Sequence, residues 1–307
     1  MLNDIQAEIL RQVADLAALP ETGAVNLRSD GQRAFHRDSE HVHIVSKTDK
    51  DGIDIHIDPG TKGETVHIPV VITKSGVKDL VYNDFFIGEG AEVKIVAGCG
   101  IHNCGGCDSE HDGIHTFHVG KNAKVTYVEK HYGEGDGAGK RILNPQTILY
   151  LEEGASVTLD TSQIKGVDDT KRYTRAVVGE NAEIVIQEKL LTHDSQKAES
   201  EMDVFLNGAG SKTRVVSRSV AQDDSVQIFY PRVEGNAPCF GHVSCDAIIM
   251  GAARVRAIPE ITCNHVDAGL IHEAAIGKIA GEQILKLMTL GLTAEEAEEK
   301  ILEGFLR

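Results

Sequence analysis

Gly88-Glu-Gly-Ala91-Glu-Val93, Gly120-Lys-Asn-Ala123-Lys-Val125, Glu153-Gly-Ala155-Ser-Val157 and Gly179-Glu-Asn-Ala182-Glu-Ile184 are four copies of one pattern. A weaker copy surrounds Asn207-Gly-Ala209, and successive alanines lie 32, 32, 27 and 27 residues apart. Each copy offers a Gly or Asn able to take positive φ in a turn, then a small inward residue, then a β-branched residue that opens a strand. A turn-plus-strand unit repeated at this interval predicts a β-solenoid. Spacings near 30 fit one or two rungs of a parallel β-helix, so the rung count stays open. A sandwich with hairpin turns is the plainer alternative.

Working outward, HVHIV (41–45), IDIHID (53–58) and TVHIPVVI (65–72) alternate polar with apolar residues, as strands do. Helical periodicity is confined to the two ends. Leu2, Ile5, Ile9, Val13 and Leu16 predict an amphipathic helix over 2–18, closed by Pro20. KIAGEQILKLMTLG (278–291) reads as a helix ending at Gly291. Thr293-Ala-Glu-Glu296 is a capping box for a second helix that carries Ala297, Ile301, Leu302 and Phe305. The expected organisation is an N-terminal helix in 1–20, a β-helix core in 21–270 and a C-terminal helical hairpin in 271–307. That hairpin has more apolar face than a free tail needs, which suits capping of the core or docking of a partner.

The composition agrees. The 307 residues hold 31 Gly and no Trp, with an apolar fraction of 41% that supports a folded core. Against 31 Lys+Arg stand 47 Asp+Glu, a formal charge of −16. So acidic a chain does not suit the phosphate backbone of a nucleic acid or an anionic membrane. It has no run of 18 apolar residues, and its MLNDIQAEIL start lacks the basic and apolar pattern of a signal peptide. A cytoplasmic location is therefore expected, with the six cysteines (99, 104, 107, 239, 245 and 263) held as thiols. Six thiols beside 14 histidines point to metal or sulfur chemistry.

Two regions carry that chemistry. In Cys99-Gly-Ile-His102-Asn-Cys104-Gly-Gly-Cys107, followed by His111 and His115, the glycines would let thiolates converge on one centre. The alternative is a flexible glycine loop with incidental thiols. The second region runs from Gly241-His242-Val-Ser-Cys245-Asp246 to Cys263, His265 and Leu270-Ile271-His272-Glu273-Ala274. On a strand His272 and Glu273 would point to opposite faces; they converge only in a turn or a strand-to-helix junction, where the pattern puts them. Alone, they are equally a helix cap, and Cys245 a small buried hydrophobe.

Together these residues resemble a family. GHVSCDAIIMG, RAIPEI and LIHEAAIGKIAGEQILKLMTLGLTAEEAEEKILEGFL are similar in order and spacing to the core domain of SufB and SufD, subunits of an iron–sulfur cluster assembly scaffold. Gly98-Cys99 and His115 match that family's earlier Gly-Cys…His segment, so the likeness spans roughly residues 65–307. It implies a right-handed parallel β-helix between helical ends, and tail helices that dock a SufC-type ABC ATPase. No G-x-x-x-x-G-K-[ST] occurs here, so the ATPase is expected in the partner, and the resemblance implies that this chain is a scaffold and not an enzyme. The resemblance assigns Cys99 to receiving sulfur and Cys245 to carrying or ligating a transient cluster. It puts His272 at the SufB–SufD interface, with Glu273 a functional neighbour. Thiolates, imidazole and carboxylate form a labile ligand set.

The chain is shorter than ordinary SufB or SufD, which implies the SufB-like form of a minimal two-component system, a homodimer passing clusters to acceptor proteins. It departs from SufB at Ile271, where SufB has an acid, and in lacking the Arg/Asn stretch before Gly-Cys. Cys104 and Cys107 have no counterpart and are read as a local cluster anchor, Cys239 and Cys263 as structural thiols. Two other readings stand beside this one. A SufD-like subunit would bind no cluster; a metal-dependent β-helix enzyme on polysaccharide would need an aromatic-lined groove with convergent acids.

Overall fold

Each Gly-x-x-Ala copy is a β-turn, and the turns are stacked. In the computed structural model, which describes residues 3–306, the residue before each alanine is left-handed: φ is +66° at Gly90, +56° at Asn122, +68° at Gly154 and +52° at Asn181. The alanine N–H closes the turn, Ala123 onto the Gly120 carbonyl at 3.1 Å and Ala155 onto Glu152 at 3.1 Å. The left-handed residue donates to the next turn, Asn122 N–H to Glu153 O at 3.0 Å and Asn181 N–H to Ala209 O at 2.8 Å. All four alanines are buried. The fifth turn is shifted from the sequence reading: buried Ser211 takes the inward place and closes onto Gly208, while Ala209 is exposed.

One repeat is one turn of a solenoid of about eight turns. Lys62–Ile72, Glu92–His102, Lys124–Glu134, Ser156–Lys165, Glu183–Thr192, Lys212–Ala221, Cys239–Ile249 and Ala268–Gly277 lie side by side in parallel. The intervening strands, from Gly52–Ile57 through Val226–Gly235, build the opposite sheet. Inward side chains of both sheets form one continuous apolar core that includes Phe85, Phe117, Tyr127 and Cys245. The first turn is finished differently, by antiparallel strands Gln32–Arg37 and Val42–Ser46. At the other end Ala268–Gly277 is the last strand of its sheet.

Helix α1 (Asp4–Ala14) opens with an Asn3–Gln6 capping box. It is shorter than the sequence reading, and Leu2, which that reading included, lies outside the described residues with Met1 and Arg307. Ile9, Leu10 and Val13 pack against Leu27, Val71, Val96 and Tyr132 on the outside of the sheet. This contact explains Gly98 and Gly100. A Cβ at Gly98 would sit 2.3 Å from the Val13 carbonyl oxygen, and one at Gly100 would sit 2.1 Å from Ile9 Cγ2. The glycines flanking Cys99 thus admit a helix behind the strand, a different role from freeing thiolates to converge. At the C-terminus, α2 (Gly281–Met288) and α3 (Ala294–Phe305) form the expected hairpin, with the Thr293–Glu296 capping box in place. Leu285, Met288 and Leu290 remain exposed.

Candidate functional site

Cys245 and His272 meet at the last two rungs. Strand alternation turns Cys245 inward, and in the adjacent strand it turns His272 inward beside Val243. The Cys245 Sγ lies 3.6 Å from His272 Nε2. Ligands bonded at about 2.3 Å (sulfur) and 2.05 Å (nitrogen) to one tetrahedral metal stand about 3.5 Å apart, so this pair already has that edge length. Burial, then the charges of Glu188 and Asp246, push the Cys245 thiol up to about 12. Burial also lowers the His272 imidazole. The pair is therefore neutral, and a metal must displace the thiol proton.

Glu273 does not join them. Ala268–Gly277 is continuous strand through both residues, not the turn or junction the sequence suggested, so Glu273 points outward. There its Oε1 lies 3.2 Å from His242 Nε2. The sheet separates an inner Cys245–His272 pair from an outer His242–Glu273 pair.

Cys99 occupies a different chamber. Five strand spacings of about 4.8 Å separate its rung from that of Cys245, about 24 Å in all. It is buried, and burial together with Asp79 and Glu129 pushes its thiol well up. A cavity of about 20 Å³, room for one water, touches Cys99, His111, His115, Glu129 and His131. Donor and acceptor roles here are fixed in sequence. The Arg172 guanidinium donates to Glu129 Oε2 at 2.5 Å, and Tyr127 OH donates to Glu129 Oε1 at 2.9 Å. Tyr127 therefore accepts from His115 Nδ1 at 2.7 Å, which leaves His115 Nε2 to accept from the Asn83 amide at 3.3 Å. Burial lowers His115 to about 4 and His131 to about 3, so both are neutral.

Between the two thiols the inner face carries a polar column. Glu129, Thr161, Glu188, Ser217 and Cys245 are register partners on successive rungs. Ser200 and Ser217 donate to the two Glu188 oxygens at 2.7 and 3.1 Å. Sequence reading missed Glu129, Arg172 and Glu188. The available signal was alternation itself: Tyr127, Glu129 and His131 occupy every second place of a strand whose apolar members face inward.

The glycine loop holds Cys104 and Cys107 on the surface, while Cys99, at the inner face of the preceding strand, points into the core. Among the described residues, no three ligand atoms from these thiols and their neighbours come within 4.8 Å of one another; the group that does is His193, Asp194 and Asp223, on two neighbouring turns. Cys239 is buried and Cys263 exposed.

A family model described as "SUF system FeS cluster assembly, SufBD core domain" matches residues 79–305. An iron–sulfur cluster assembly SufBD family protein of Archaeoglobus fulgidus is 30% identical over 272 residues, which cover 87% of this chain and 71% of that protein. One from Methanocaldococcus jannaschii is 28% identical over 243 residues, 78% of this chain and 76% of the relative. A third, from Methanothermobacter thermautotrophicus, is 29% identical over 241 residues, 76% of this chain and 57% of that protein. Among the described residues no helix is long and apolar enough to cross a membrane. The chain belongs to the SufBD family, which is implicated in iron–sulfur cluster assembly.

Proposed function

We propose that this chain is a scaffold, SufB-like rather than SufD-like, on which an iron–sulfur cluster is assembled and released, and that it performs no catalysis of its own. The observation that carries this reading is the Cys245–His272 pair, a soft and a borderline ligand 3.6 Å apart at the open end of the solenoid. Iron and sulfide are cargo, and two protein ligands per chain leave a cluster under-coordinated, which suits a product that must leave. A second copy joined along the Ala268–Gly277 edge, where Ile271 and Ile276 are exposed, would bring a second pair nearby and make a homodimer. Glu273 and His242 would then lie at the outer margin of that site. The exposed Leu285, Met288 and Leu290 of the tail hairpin suit docking of a SufC-type ABC ATPase. Acceptor proteins and a cytoplasmic setting complete the reading.

Anaerobic reconstitution with ferrous iron, inorganic sulfide and thiol tests it, read by visible and Mössbauer spectra. Wild type is expected to form a cluster, and Cys245→Ser to lose most of it. No cluster under any condition, with or without the ATPase, would favour the SufD-like structural subunit.

A further inference from the structure

A cluster needs sulfur as well as iron, and both Cys99 and Cys245 are buried away from any external donor. Three thiols are exposed, Cys104, Cys107 and Cys263. Of these three, Cys104 is the one paired with an imidazole, its Sγ 3.0 Å from His102 Nε2. That distance is shorter than the edge of a tetrahedral metal site and belongs to a hydrogen bond. The other imidazole nitrogen, His102 Nδ1, is buried without a hydrogen-bond partner and lies 3.7 Å from Glu134 Oε2. Glu134 is the register partner of His102 on the next rung, so the sheet itself sets their relation. The order in space is thiol, imidazole, carboxylate: a nucleophile, its base, and a carboxylate just beyond hydrogen-bond distance of the base.

The loop that presents Cys104 is held in place. The buried Asn103 amide donates to the Cys107 carbonyl at 2.8 Å and accepts from Gly105 N–H at 3.0 Å. Ser75 Oγ donates to the same Cys107 carbonyl at 2.9 Å. Gly137 and Gly139 N–H groups bind Asn103 O and Gly105 O from the other side. The tip beyond is open, and a Cβ at Gly106 would meet nothing within 4 Å. A pinned, accessible thiol hydrogen-bonded to an imidazole is built for attack, not for packing.

We propose that Cys104, with His102 as its base and Glu134 as a positioning residue, is the surface acceptor of sulfane sulfur from a persulfide donor; this rests on the cluster-assembly reading above. His102 Nε2 takes the Cys104 proton, and the thiolate attacks the terminal sulfur of R–S–SH. The Cys104 S–S bond forms as the donor's S–S bond breaks. The departing R–S⁻ takes the proton back, leaving Cys104–S–SH and R–SH. No outside oxidant or reductant is required.

The test is brief exposure of the whole chain to isotopically labelled cysteine persulfide, and separately to a persulfide-loaded rhodanese. Trapping with an alkylating agent and peptide mass spectrometry then locate the label. Label on Cys104 ahead of Cys107, Cys263 and Cys99 is expected, and His102→Gln should slow it on the order of 100-fold. Label from rhodanese alone would make the source a protein; label from both donors would make small persulfides sufficient. Equal labelling of Cys107 or Cys263, or an unchanged rate in His102→Gln, overturns the assignment. A second readout is the ratio of persulfide-fed to sulfide-fed cluster yield, expected to fall about tenfold in Cys104→Ser; an unchanged ratio also overturns it. Wild type that is labelled on Cys104 but forms no cluster from sulfide would instead sink the scaffold reading alone.

Discussion

At the scale of single residues, thiol environment divides the cysteines into two kinds. Cys245, at about 12, is almost wholly protonated at pH 8, whereas an ordinary thiol is about one quarter thiolate there. Iodoacetamide at pH 8 should therefore alkylate the exposed Cys104 while Cys245 and Cys99, both buried, react only after denaturation. Rates within tenfold, measured by peptide mass spectrometry, would mean that the end of the solenoid opens freely. Cys245 and His272 stood out as candidates because a specific run of residues around them resembles a known family. Their pairing did not. Sequence neighbours suggested His272 with Glu273, but strand alternation divides those two, and the true partner of His272 sits 27 positions earlier on the adjacent rung. The turn chemistry was legible in full at Asn122 and Asn181, where a left-handed backbone calls for Asn or Gly. It slipped at Ala209, where a serine does the alanine's work two places on.

At the scale of elements, the clearest dependence is that of α1 on two missing side chains. A methyl at Gly98 meets a backbone carbonyl, which cannot swing aside as a side chain would. Gly98→Ala should therefore lift the helix and destabilise the protein by roughly 1–3 kcal/mol, while Gly106→Ala, facing open space, should be near neutral. Denaturant midpoints and tryptic cleavage after Arg11 measure both; equal midpoints for the two variants would show that α1 contributes nothing to stability. Helix existence was readable from periodicity and capping signals at both ends, since these are local. Where α1 docks was not, because its seat is assembled from Leu27, Val71, Val96 and Tyr132, which come from four separate strands.

For the whole molecule, the buried polar interior ties folding to pH. His115 and His131 stay neutral in the native protein down to about 4 and 3, whereas in the unfolded chain they take up protons near 6.5. The unfolded state binds more protons across that interval, so stability is full above about 6.5 and falls as pH drops toward 3. Asp79 adds to this at lower pH. Burial alone would raise it, but hydrogen bonds with His111 and Arg28 outweigh that and hold it at about 2, so its contribution fades from about 3.8 downward. The His115 shift corresponds to about 3 kcal/mol. Urea midpoints should fall steeply between pH 7 and 4.5, and less steeply in His115→Gln; parallel slopes would deny the histidine its part. The solenoid also has two unlike ends. One finishes in short antiparallel strands carrying Gln32, Arg33, His36 and Arg37, the other in a ten-residue parallel strand with an unpaired edge. Short charged edges discourage strand addition, and long bare ones invite it. Copies joined by their long edges therefore exhaust that edge in a single encounter. Polymerisation into a fibre would need a second long bare edge, and among the described residues the opposite end offers short strands instead.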